Sequence, residues 1–162
     1  MDLHESPSAG VVVETVLLGM RDGRLTCRLD EARLADGDHP DALARRLAGF
    51  TESSAIPGRM VHSTSWRFDA GRIVLTYAAL PDPDPRTAVF HEAPVETARG
   101  ADPMSPSPEY VGHADVIAHA CRHLAFLRRT DPVAATAAEQ VGGLWELLDE
   151  YAPDVAGQRT NG

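Results

Sequence analysis

Val11 to Met20 is a β-branched, apolar run, and after Arg21-Asp22-Gly23-Arg24 a second apolar run follows from Leu25 to Leu29. Asp-Gly between two such runs is a strong hairpin signal, because both residues tolerate the positive φ of a tight turn. The pattern repeats from Met60 to Leu80. There Phe68-Asp69-Ala70-Gly71 suits a type I turn with Gly71 left-handed, the three-residue hairpin loop with a bulge. If Phe68 pairs with Arg72, then Trp66 faces Val74, Thr64 faces Thr76 and His62 faces Ala78. Ser63, Ser65 and Arg67 then share the opposite face with Tyr77. Both faces mix apolar with polar groups, as expected of a sheet covered on both sides.

Between the hairpins, Asp36-Gly37-Asp38-His39-Pro40 offers an N-cap just before a proline. Asp41 to Ala48 reads as a short helix with Ala42, Leu43 and Leu47 inward, ended near Gly49. Thr51 to Gly58 reads as a loop. Seven prolines from Pro81 to Pro108 deny that stretch a regular helix, while Thr87 to His91 suits a short edge strand. A loop of that length in a compact domain is functional or mobile. Ser107-Pro108-Glu109 predicts the start of a helix running to about Arg128, and Asp131-Pro132 repeats the cap-and-proline signal. The second helix sets Val133, Ala137, Val141, Leu144, Leu148 and Tyr151 on one face. So short a break predicts an antiparallel pair. The sum is an α+β fold: a mixed sheet of β-hairpins, a short helix between them and a C-terminal antiparallel helix pair. It forms one domain over 1–152, with a proline-rich loop at 81–108 and a flexible tail at 153–162.

Composition narrows the function. The chain of 162 residues carries a formal net charge of −9, which argues against a nucleic-acid partner. Fifteen arginines and no lysine fit a GC-rich, bacterial coding bias. That usage also removes any side-chain Schiff base and any P-loop lysine. Cys27 and Cys121 are too few for a disulfide framework, and MDLHESPSAG lacks the basic start and apolar run of a signal peptide. No apolar stretch approaches the roughly 20 residues of a membrane span. The expectation is a cytoplasmic protein with reduced thiols and no membrane partner.

The order of hairpin, Gly-containing loop, short helix and strand pair resembles the Nudix hydrolase fold. VVETVLLGMRDGRLTCRL is similar to that family's opening hairpin, and Asp36 to Leu47 to the approach to its helix. The resemblance covers roughly Val11 to Leu80. It implies a Nudix-like architecture, and also where the chain departs from the family. Diphosphatase chemistry there depends on a cluster of helix glutamates that hold magnesium against a diphosphate. Here Arg46 stands where a glutamate is expected, Ala48-Gly49-Phe50 follows, and Glu52 is the only acid nearby. One carboxylate does not build the oxygen shell that Mg²⁺ needs.

Two other groupings bear chemistry-capable side chains. His62, Ser63, Ser65, Trp66, Arg67 and Tyr77 on the second hairpin would line a ligand pocket, with Arg67 as anion anchor. Strand alternation sets His62 opposite the serines, so the pocket side stays open, and Trp66 reads as core. Asp115, His119 and His123 fall at i, i+4 and i+8 on the long helix, a spacing suited to a divalent metal, zinc or magnesium. A complete site there needs His62 or His113 to approach through the fold. No G-x-S-x-G, G-x-G-x-x-G or Cys-x-x-Cys occurs. The leading reading is therefore a Nudix-like domain that binds a small molecule or a protein partner without Nudix hydrolysis. The alternative is a metal-dependent hydrolase built on His119, His123 and Asp115. A third reading is a structural or interaction protein in which the helical pair or the proline-rich loop makes an oligomer such as a homodimer, a reading that an exposed apolar stripe on Val133, Val141 and Leu148 would favour.

Overall fold

A computed structural model describes residues 10–50, 58–91 and 112–152. Five strands form one mixed sheet in the order β3-β4-β1-β2-β5, so the fold is α+β as expected. β1 (Val11–Arg21) and β2 (Arg24–Arg33) make the first hairpin, and β3 (Met60–Asp69) and β4 (Arg72–Leu80) the second. β1 lies parallel to β4, with Val12 beside Val74 and Val16 beside Ala78. A parallel pair needs a crossover, and the passage that carries the chain across contains α1 (Pro40–Leu47). β5 (Val89–Phe90) pairs with Thr26 and Cys27 at the far edge, within the predicted edge segment.

Alternation along β1 divides the core in two. Val16 and Leu18 join Leu25, Cys27, Ala78 and Leu80 under the C-terminal helices α2 (His113–Thr130), α3 (Pro132–Gln140) and α4 (Gly142–Asp149). Val13 and Leu17, one residue out of phase, pack with Tyr77 and Ala79 toward α1. The burial of both faces explains why β1 reads as a continuous apolar run rather than an alternating one. α1 starts at an N-cap, His39, whose ring accepts from the Asp41 N–H, with Pro40 in the first turn.

Several expectations need correction. Both hairpins close through two residues with positive φ, Asp22-Gly23 (55° and 71°) and Ala70-Gly71 (49° and 79°), the signature of type I′ turns. Gly71 is left-handed as expected, but Asp69 pairs with Arg72 and no three-residue loop forms. The irregularity lies inside β3 instead. His62 pairs with Ala78 and Ser63 with Tyr77, then a bulge at Thr64 shifts the register, so that Ser65 pairs with Thr76, Trp66 with Leu75 and Arg67 with Val74. One extra residue turns Ser65 and Arg67 onto the face of His62, and Trp66 and Phe68 onto the other. Trp66, expected in the core, is 70% exposed.

The second C-terminal helix is also two. Val141 ends α3 at φ −137°, and Gly142-Gly143 opens α4, because paired glycines weaken a continuous helix. The pair thus becomes three helices. The break turns Leu144, Trp145 and Leu148 into the core, while Val133 stands 74% exposed, so the stripe of Val133, Val141 and Leu148 does not form. The predicted helix start at Ser107, the loop at 51–57, the proline-rich residues 92–108 and the tail at 153–162 lie outside the described residues.

Residues 81–91 form a strap across the sheet end. The Arg28 guanidinium holds the buried Asp82 carboxylate through both of its oxygens, and Arg21 donates to the carbonyls of Pro85, Arg86 and Ala88. Phe90 lies between Arg21 and Arg24, each guanidinium about 4 Å from the ring centre. Gly19 lets the strap approach: a Cβ there would sit 2.7 Å from Asp82 Cβ. Gly19→Ala is expected to cost about 1–3 kcal/mol, the usual range for overpacking, read as a lower urea midpoint at unchanged slope.

Candidate functional site

Glu14 sits inside the apolar run of β1, its side chain 3% exposed. Arg67 meets it with two parallel bonds, Nη1 to Oε1 at 2.9 Å and Nη2 to Oε2 at 3.1 Å. The Thr76 hydroxyl donates to Glu14 Oε1 at 3.0 Å and accepts from Arg67 Nη1 at 3.3 Å. The bond to Glu14 pushes the Arg67 pKa up, against the opposing effect of burial, so the guanidinium stays charged. This arrangement commits the expected anion anchor to an internal carboxylate. Tyr77 lies on the other face, where its hydroxyl donates to Asp41 of α1. Burial, and then that bond, push its pKa up, so it holds its proton. Ser63 is exposed beside it. The bulge therefore divides His62, Ser65 and Arg67 from Ser63, Trp66 and Tyr77.

The helix stripe divides as well. Asp115 closes the first turn of α2, accepting from the Gly112 N–H at 3.1 Å. His119 and His123 lie further along, and His62 joins them from β3. The His62 and His123 rings stack at 5.2 Å and 22°, and those of His119 and His123 at 6.4 Å and 29°. His113 is exposed at the helix start and takes no part in the stack. Burial first, then the neighbouring His62 and His119, push the His123 pKa down, favouring the neutral ring. Its Nε2 is buried without a hydrogen-bond partner. As placed, no group of three His, Cys, Asp or Glu among the described residues stands ready to hold a metal ion.

Cys27 and Cys121 are free and buried, and burial pushes both thiols up, which makes them poor nucleophiles. His91 closes the strap against the helices: its Nδ1 lies 2.7 Å from the Tyr151 hydroxyl. Burial pushes the His91 pKa down.

A cleft of about 450 Å³ opens where β1 begins, lined among the described residues by Gly10, Val12, Glu31, Ala32, Arg33 and the turn Ala70-Gly71-Arg72. None of the six predicted pocket residues lines it. Register explains its walls. Arg33 pairs with Val12 on one side of β1, and Arg72 precedes Ile73, the partner of Val11, on the other. Arg33 folds over Gly10, where a Cβ would lie 3.3 Å from its guanidinium. Arg72 Nε is buried and unpartnered. Its volume falls in the range of small-molecule sites. Neither arginine stands out in the sequence, because nothing local marks two cations brought together by strands 39 residues apart. Glu14 did carry a signal: a carboxylate within an apolar run needs a buried partner. No protein-family model matches the chain, and a search of curated proteins returns no match.

Proposed function

We propose that this chain is a small-molecule-binding domain of Nudix-like layout without Nudix diphosphohydrolase chemistry. Its ligand is a small anion that also carries a hydroxyl or amine. The observation that carries the reading is the pair Arg33 and Arg72 at one cleft, neither engaged in an ion pair or hydrogen bond among the described residues. A planar guanidinium fork matches carboxylate and phosphate oxygens, so two free forks at one opening favour an anion. Glu31, in the same wall, supplies an acceptor for a donor on the ligand.

The case against hydrolysis rests on α1. Its one carboxylate, Asp41, already accepts from Tyr77, and its last turn carries the exposed Arg45 and Arg46. Mg²⁺ has no oxygen shell there among the described residues.

The test is a thermal-shift screen of phosphate, citrate and nucleoside monophosphates against the full chain. An anion at 100 times its dissociation constant should add about 2.7 kcal/mol, or roughly 5–10 °C for a domain of this size. Arg72→Ala and Arg33→Ala should each remove most of that shift. A panel without effect, or a shift unchanged in both variants, overturns the reading. Turnover of a nucleoside diphosphate sugar with Mg²⁺ also contradicts it.

A further inference from the structure

We infer that His62 and His123 form an acid-sensitive clasp between strand β3 and helix α2, closed while both rings are neutral and released when they take up protons. The device is independent of the arginine cleft. β3 is the outer strand at one edge of the sheet, and its two halves are anchored differently. Beyond the bulge, Arg67 grips Glu14 through two bonds. Before it, His62 lies on the face that α2 covers and stacks on His123, with ring centres 5.2 Å apart and 22° from parallel. His119, one turn earlier on α2, extends the stack at 6.4 Å from His123. Met60 packs on the same helical core, so release loosens this half of β3 rather than detaching it.

The surroundings of the stack leave an added proton uncompensated. From β4, the residue beside His62 is Ala78. β3 adds a second cation, Arg59, laid over the Phe50 ring. On α2 itself, Asp115 is engaged with the Gly112 N–H one turn before His119, and Arg122 adjoins His123 in the chain. α3 turns Ala134 and Ala138 inward, and α4 presents Asp149 to Arg128 at the far end of α2. The charged neighbours that act on His123 are His62 and His119, both of its own sign. An imidazolium also needs partners for both of its N–H groups. The His123 Nε2 is buried with none.

The direction of the pH effect follows. Burial first, then the two imidazoles, hold the His123 pKa down. The closed clasp therefore binds fewer protons than the open one, whose histidines titrate near the ordinary value of about 6.5. Closure is complete above that value and weakens as the pH falls below it. Each excluded proton favours opening about tenfold per pH unit. Once both rings are charged, their repulsion at this spacing keeps them apart. His91 is also held neutral by burial, in the strap, so overall stability does not isolate the clasp and the readout must be local.

The experiment follows the full chain, isotopically labelled, by NMR at about pH 7.5 and about pH 5.5, either side of the ordinary histidine pKa. Nuclear Overhauser contacts between the His62 and His123 rings should be present at the higher pH and reversibly lost at the lower. Amides of residues 60–63 that bond to β4 should lose about tenfold in hydrogen-exchange protection over that interval. Those of residues 65–68, beyond the bulge, should keep theirs. His123→Phe keeps a ring in the stack that takes up no proton, and should retain contacts and protection at both pH values. His62→Phe, at a half-buried edge position, should do the same. Ring contacts that persist in the unmodified chain at the lower pH overturn the inference. So does a loss of protection that survives in both variants, or one that extends equally beyond the bulge.

Discussion

Arg67→Met is expected to lower the unfolding free energy by about 3 kcal/mol, measured by urea denaturation. The reason is the carboxylate left behind rather than the bonds lost. Removing one partner of a buried ion pair typically costs about 3–5 kcal/mol, because an uncompensated charge stays out of water. Arg67 is 23% exposed, so water reaches the vacated position and the low end of that range applies. The double variant Glu14→Met/Arg67→Met separates the two causes. It removes both charges and should recover most of the loss. Recovery should fall short of complete, since the Thr76 hydroxyl then loses its acceptor. A double variant as unstable as Arg67→Met alone would mean that the site is held by packing instead of charge.

Trp145→Ala should cost about 3–5 kcal/mol, the usual price of truncating a buried aromatic side chain. Trp145 is fully buried in the helical core with Leu144 and Leu148. For a domain of this size such a loss lowers the melting temperature by roughly 10 °C. Trp145→Phe should cost much less. It keeps most of the ring volume and also removes an indole N–H that has no partner among its neighbours. If the two variants were equally damaging, the N–H would have to make a bond that stabilises the fold.

The elements that were legible in the sequence are those set by local rules. Asp22-Gly23 announced the first turn, apolar runs announced β1 and β4, and Pro40 and Pro132 marked helix starts that the structure retains. The edge segment near Val89 was also readable, from its place between prolines. What escaped was decided at a distance. A bulge at Thr64 reassigns Ser65, Arg67, Trp66 and Phe68 between faces, and no residue type in His62-Ser63-Thr64-Ser65 demands one. Gly142-Gly143 is different: the glycine pair was a visible breaker, outweighed by a helical apolar period that continues past it. For the candidate sites, the approach of His62 to the α2 stripe was only a condition, since strand and helix residues 57 and 61 positions apart meet through tertiary packing. The arginine cleft had no local signature at all.

The most direct test of the binding reading is a titration of the ¹⁵N-labelled chain with the best-stabilising anion, followed by NMR at backbone amides and arginine Nε–H groups. Binding at the cleft predicts saturable shifts at Gly10, Val12, Glu31 to Arg33 and Ala70 to Arg72, with the Arg72 Nε–H among the largest. Shifts centred on Arg67 and Glu14, or none at the cleft at saturation, would contradict it.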